Sequence, residues 1–113
     1  MKSEIWFFKG ESDVSVHVEI ADTFLTRLRG LMGRRCIPAG YGLFLCPCSS
    51  IHMCFMRFSI DAVYFDSSMT IVKIVHHLHP WVGISACMKA SSVLEMKAGE
   101  AARLGLAIGM RKL

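Results

Sequence analysis

A chain of 113 residues, 53% hydrophobic and 19% charged, has room for one domain and enough apolar content to fill its core, which excludes a disordered chain. No apolar run reaches the roughly 18 residues of a membrane helix, and no basic start with a run of about seven apolar residues marks a signal peptide, so the sequence reads as a cytoplasmic chain without a membrane segment. The formal charge of +4 gathers at Arg27, Arg29, Arg34 and Arg35, with Leu28, Leu31 and Met32 between them instead of exposed aromatics; that is a solvated helix face, not a nucleic-acid surface.

In chain order, Glu4–Lys9 and Val14–Ile20 are two β-prone runs joined by the polar turn Gly10-Glu11-Ser12-Asp13, hence a hairpin. Val14, Val16 and Val18 alternate with Ser15, His17 and Glu19, which puts His17 on the polar face. Asp22 is placed to cap a helix over Thr23 to about Met32, where Phe24, Leu25, Leu28, Leu31 and Met32 recur at helical spacing and Gly33 is placed to end it. Gly30 weakens that helix by about 1 kcal/mol relative to Ala. After the Pro- and Gly-containing loop 37–42, the segments 43–46, 51–56, 60–65, 70–77 and 92–96 read as strands, 99–106 as a short helix or turn, and 110–113 as a closing strand. Short strands, hairpin-length connections and one main helix (about 23–32) predict a mainly β domain, α+β in class: a small antiparallel β-barrel or sandwich with the helix packed against it.

Five cysteines, an odd number without an export signal, predict reduced thiols. If 51–56 is one strand, His52, Cys54 and Met56 share a face, as do Cys46 and Cys48 across the turn. Cys46, Cys48, His52 and Cys54, with the Met56 thioether, then form a candidate site for Zn(II) or Cu(I), although the spacing is not that of a zinc finger. Cys48, His52 and Asp61 also offer a nucleophile, a base and an orienting carboxylate for an enzyme of unknown substrate.

Asp61 lies on the face of Val63 and Phe65. A carboxylate there must be held by hydrogen bonds, from Arg57, Arg27 or local backbone N–H groups. Glu95, between Leu94 and Met96, raises the same question, with edge pairing to Lys97 as its simplest answer. In His76-His77-Leu78-His79-Pro80-Trp81 the adjacent imidazoles point to opposite faces of a strand and read as a solvated strand end.

Four stretches carry a resemblance to a family. They are Thr26-Arg27-Leu28-Arg29-Gly30-Leu31-Met32-Gly33-Arg34; Ser50-Ile51-His52 with Met56-Arg57-Phe58 and Ile60-Asp61; Val93-Leu94-Glu95 followed by Ala98-Gly99; and Gly105-Leu106 with Gly109. Together they resemble the bacterial and archaeal proteins known as domain of unknown function 192, from about Ala21 onward. Met53, Cys54, Ser59 and Met110 depart from that family's usual residues. The resemblance implies a compact, β-rich, barrel-like fold with one helix and no established activity; many relatives carry an export or lipid-anchor leader.

The expected function is therefore a small non-enzymatic binding or accessory domain with a small-molecule or protein partner. Its candidate ligand-binding residues are His52, Met56, Arg57, Asp61 and Glu95, and no cofactor is expected. The soft-metal and Cys/His enzyme readings stand as alternatives.

Overall fold

The structure, a computed structural model, describes residues 2–9 and 13–113, and side chains throughout these except at positions 24, 25 and 28. Eight strands and two short helices follow one another: β1 (Lys2–Phe8), β2 (Val14–Ala21), α1 (Phe24–Arg29), β3 (Tyr41–Leu45), β4 (Ser50–His52), β5 (Ile60–Phe65), β6 (Ile71–Leu78), β7 (Ile84–Ala86), β8 (Ser92–Lys97) and α2 (Glu100–Arg103). Six strands form one sheet in the order β1-β2-β3-β8-β5-β6, and β4 pairs with β7 in a second, two-stranded sheet. The architecture is a β sandwich, mainly antiparallel as expected, and not a closed barrel.

The expected hairpin is β1 against β2; residues 10–12 of its turn lie outside the described residues. His17 is exposed, as the alternation required. One pairing departs from expectation: β2 and β3 run parallel, from His17 opposite Tyr41 to Ala21 opposite Leu45. The reason is the long connection 22–40, which contains α1 and supplies the crossover that a parallel pair needs.

The helix is shorter than its apolar pattern predicts, and the Phe24, Leu25 and Leu28 side chains on which that pattern rests lie outside the described residues. Its N-cap is Thr23 instead of Asp22. The Thr23 and Thr26 side chains each accept from the other's backbone N–H, a reciprocal cap. It ends at Gly30 and not at Gly33, because Gly30 adopts φ 48°, a backbone that an L side chain resists. Leu31 and Met32 then belong to a turn, and both still pack into the core.

β8 and β5 are adjacent interior strands with both faces covered, and β5 is buried along its whole length. Alternate residues feed two separate cores. Trp6, Phe8, Phe44 and Phe65 form an aromatic cluster on one face, with ring centroids 4.6 to 6.3 Å apart, joined by Val16, Val18, Val63, Leu94 and Met96. The other face carries Leu43, Leu45, Ala62, Tyr64 and Val93, covered by Leu31, Ile37, Ile51, Met53 and Met56 from the segments around α1 and β4. The region 51–56 is not one strand. β4 stops at His52, and Met53–Met56 is a turn closed by the Met56 N–H donating to Met53 O at 3.1 Å. The β7 strand, in which Ser85 alone is buried, was not foreseen from the sequence. The closing segment makes only isolated bridges, Lys112 to Phe8 and Arg111 to Thr70.

Candidate functional site

The cavity of about 260 Å³ between the end of α1, the Cys48–His52 segment and the six-stranded sheet is where the sequence candidates meet. Glu95 forms its floor. β8 is flanked by β3 and β5, so Leu43 and Ala62 lie beside Glu95 in the ladder and no edge is available to it. Edge pairing with Lys97 is thereby excluded. Because side chains alternate, Leu94 and Met96 enter the aromatic core while Glu95 points to the opposite face.

The carboxyl of Glu95 has no hydrogen-bond or salt-bridge partner among the described residues, and the residue is only 5% exposed. Burial alone pushes its pKa from 4.5 up to about 7. A carboxyl whose pKa is raised by burial at the bottom of a cleft marks a candidate functional site.

The walls are Leu31, Met32, Leu45, Ile51 and Met56, and the rim carries Arg27, Arg29, Cys48 and His52. Gly30 closes over the floor: a β-carbon built there would stand 3.6 Å from Glu95 Oε1. Arg27 is held by donating to Asp22 O at 3.0 Å and Cys46 O at 3.4 Å, which fixes its guanidinium beside the cavity with donors to spare. His52 is exposed at the mouth, and its Nδ1 accepts from the Cys54 N–H at 3.3 Å. The remaining ring nitrogen, Nε2, then carries the proton of the neutral ring. Cys48 donates to Ser50 O at 3.1 Å, and burial raises its thiol above the usual value. Behind the cavity, Tyr64 donates to Ser85 Oγ at 3.2 Å, linking the two sheets.

His52, Met56 and Glu95 are thus brought together, but Arg57 and Asp61 do not line the cavity. Arg57 is exposed. Asp61, fully buried, faces the other side of the sheet. Its Oδ1 accepts from the His77 N–H, and its Oδ2 from the Gly99 and Ala101 N–H groups, all at 3.0 Å. His76 Nδ1 stands 3.9 Å from Oδ2. The partners are backbone groups, as one of the expected alternatives had it, and neither Arg27 nor Arg57. A β-bulge in the β5–β6 pairing makes this possible: it turns His77 out at φ 52° and aims its N–H inward. At the other oxygen Asp61 holds the first turn of α2, whose N-cap is Gly99 with no capping side chain of its own.

The soft-ligand set does not converge. Cys46 packs towards the aromatic core and Cys48 towards the opposite one, so the two do not share a face. Cys54 is exposed in the turn after β4, away from the face of Met56. Among the described residues no three His, Cys, Asp or Glu side chains cluster as metal ligands would. All five cysteines are free. The Cys48–His52–Asp61 trio is likewise not assembled, since each of the three is hydrogen-bonded elsewhere and Asp61 lies on the far face. Arg29, Leu31 and Ile51 were not foreseen as site residues. The one signal was Gly30, a glycine inside a helical pattern, which marks a close approach of backbone to something.

The sequence model of the family known as domain of unknown function 192, described as "Uncharacterized ACR", matches residues 6–112. The chain belongs to this family. Curated relatives carry only the family label UPF0127. One from Pyrococcus furiosus is 29% identical over 104 residues, covering 88% of this chain and 87% of that protein. One from Thermococcus sibiricus is 43% identical over 70 residues, covering 57% of this chain but 44% of the longer relative. Among solved structures, a Sinorhizobium meliloti protein aligns with a TM-score of 0.91 at 24% identity, over 99% of this chain and 93% of that one. A Novosphingobium aromaticivorans protein of unknown function aligns with a TM-score of 0.89 at 20% identity, over 98% and 84%. At these identities the likeness establishes the fold and nothing finer. No described helix is long and apolar enough to cross a membrane.

Proposed function

We propose that this domain is a small-molecule-binding module, non-enzymatic, and that its ligand is a small organic anion with an apolar body. The observation that carries this is Glu95: a buried carboxyl without a protein partner among the described residues, at the floor of a cleft whose rim bears two arginines. Its oxygens open on the cleft, so the hydrogen bonds that the protein does not supply fall to whatever occupies that cleft. Protonated, Glu95 donates one hydrogen bond to an acceptor in the cleft, while Arg27 and Arg29 supply charge-assisted bonds at the rim. Leu31, Leu45, Ile51 and Met56 offer the apolar contact. The volume, about 260 Å³, lies below the usual range for drug-sized ligands and suits a compact metabolite.

The test is calorimetric titration with short carboxylates, butyrate and benzoate, and with inorganic phosphate as a body-free control. Binding of a carboxylate that weakens about tenfold in Arg29→Ala, an exposed substitution, and weakens in wild type as Glu95 ionises above neutral pH supports the reading. Absence of binding by any of these anions, or binding unchanged in both Arg29→Ala and Glu95→Gln, sinks it.

A further inference from the structure

Beside the cleft, on the outer side of the small sheet, the chain holds a group of large apolar side chains in water. Phe55 is 63% exposed, Trp81 57%, Val82 81% and Ile84 78%. The Phe55 and Trp81 rings lie 5.1 Å apart, Val82 follows Trp81 in the chain, and Ile84 is paired with His52 across β4 and β7. Apolar residues exposed singly are ordinary, but a clustered group led by two aromatics is not.

The backbone works to keep them there. Phe55 has φ 64° and Trp81 φ 69°, the left-handed region that bulky residues avoid. Both turns are locked onto buried Met53. Its N–H donates to Gly83 O at 2.9 Å, its carbonyl accepts from the Trp81 N–H at 2.7 Å, and the Gly83 N–H donates to His79 O at 3.0 Å. Gly83 leaves no room for a side chain, since a β-carbon would meet His79 O at 2.5 Å. Two strained aromatics fixed outward by one set of backbone hydrogen bonds are a built presentation, and strain of this kind collects where a protein engages a partner.

The charge around them is of one sign. Segments 50–60 and 72–91, which build and flank the group, carry Arg57, Lys73 and Lys89 and no carboxylate. Asp61, which directly follows the first segment, is fully buried, and Asp66 sits in the turn of the β5–β6 hairpin, two residues beyond the Tyr64 that pairs with Lys73. Lys73 Nζ donates to Ala86 O at 2.8 Å, which places its charge against β7 itself.

We infer that this group is a docking tip for an anionic lipid surface, into whose interface Phe55, Trp81, Val82 and Ile84 insert while Arg57 and Lys89 face the headgroups. Aromatic rings suit the headgroup level of a bilayer, and cations beside them add attraction that a neutral bilayer lacks. A protein partner of acidic character would share the charge, but exposed aromatic and aliphatic side chains beside cations match an anionic bilayer interface, which takes up apolar groups at the level of its charged headgroups.

The experiment is co-sedimentation of the full chain with vesicles of phosphatidylcholine alone and of phosphatidylcholine with about one third phosphatidylglycerol. Expected is binding to the anionic vesicles, with a blue shift of tryptophan emission from Trp81; Trp6 is already buried and contributes no change. Phe55→Asn and Trp81→Asn suit the left-handed backbone and leave the core untouched, so they fold, and each should weaken vesicle binding about tenfold. Arg57→Ala should weaken it less and flatten its salt dependence. No binding to anionic vesicles, binding by either asparagine variant as tight as that of the parent, or a concentration-dependent dimer abolished by Trp81→Asn in the absence of lipid would each overturn the inference.

Discussion

Asp61 and Glu95 are two buried carboxyls on adjacent interior strands, within one residue of each other in the ladder: Ala62 pairs with Glu95, and Asp61 with Met96. They point to opposite faces of the same sheet and have opposite circumstances. Asp61 accepts three backbone hydrogen bonds and ties β5 to β6 and α2. Glu95 accepts none among the described residues and faces a cleft. Burial is equal in kind, so what separates a structural carboxylate from a candidate site is whether the fold supplies donors. One face of this sheet is filled by an aromatic core, with Asp61 held by three backbone donors and only Ser92 Oγ, among the described residues, fully buried without a partner; the other is left open around one acid.

The largest expected effect tests the finished side. Asp61→Asn keeps the shape but replaces one accepting oxygen by an amide donor, leaving at least one backbone N–H without an acceptor. It should lower stability by about 3 kcal/mol in urea denaturation. If the variant is as stable as the parent, the contrast between the two acids fails.

Glu95→Gln tests the open side and has the opposite sign. The folded pKa of Glu95, about 7, lies above the ordinary 4.5, so the folded state favours the protonated form. Its contribution is at its best at or below pH 4.5, declines as pH rises to about 7, and is a constant penalty above that. At about pH 8 the glutamine variant should be more stable than the parent by about 2 kcal/mol, and the difference should shrink towards pH 5. Urea midpoints measured across that range decide it, and an unchanged pH profile would show that Glu95 is already satisfied.

Gly30→Ala sharpens the comparison by disturbing what covers Glu95. Its positive φ makes any side chain strained, and the cost should be about 1–2 kcal/mol, with the midpoint read by the same denaturation series. Smallest is Asp66→Asn. Asp66 Oδ1 accepts from the Ser68 and Thr70 N–H groups in a solvent-facing turn, where water replaces what is lost. A change of about 1 kcal/mol or less is expected, well under that of Asp61→Asn, and an equal loss would remove the distinction between core and turn.

Much of the fold was legible. Ile60–Phe65 was bounded correctly, and the first hairpin and β6 and β8 within about two residues, because β-branched and aromatic runs between turn signals leave few alternatives. That Asp61 must be buried and held by hydrogen bonds also followed from its face alone. The failures are local patterns outvoted by tertiary contacts. Residues 51–56 look like a strand, but Met53 and Met56 are both drawn into the core, which only a turn can achieve. Thr23–Met32 looks helical throughout, yet Gly30 ends the helix so that Leu31 can drop beneath it. β7 was missed because its three residues gain a partner only when β4 lies beside them.

The site divided in the same way. Sequence alone determined the inventory: His52, Met56 and Glu95 as polar or soft residues in apolar company, and one buried aspartate needing donors. Which face each acid took followed from strand alternation, a local rule. Which acid found donors did not, because those donors come from His77, Gly99 and Ala101, far along the chain, through a bulge and a helix start that no local pattern encodes. Nor could the sequence join Arg27 and Arg29 to Glu95, or stack Phe55 on Trp81. Hydrogen bonds and clefts are made between segments, so their existence is decided by packing and not by the residues that happen to line them.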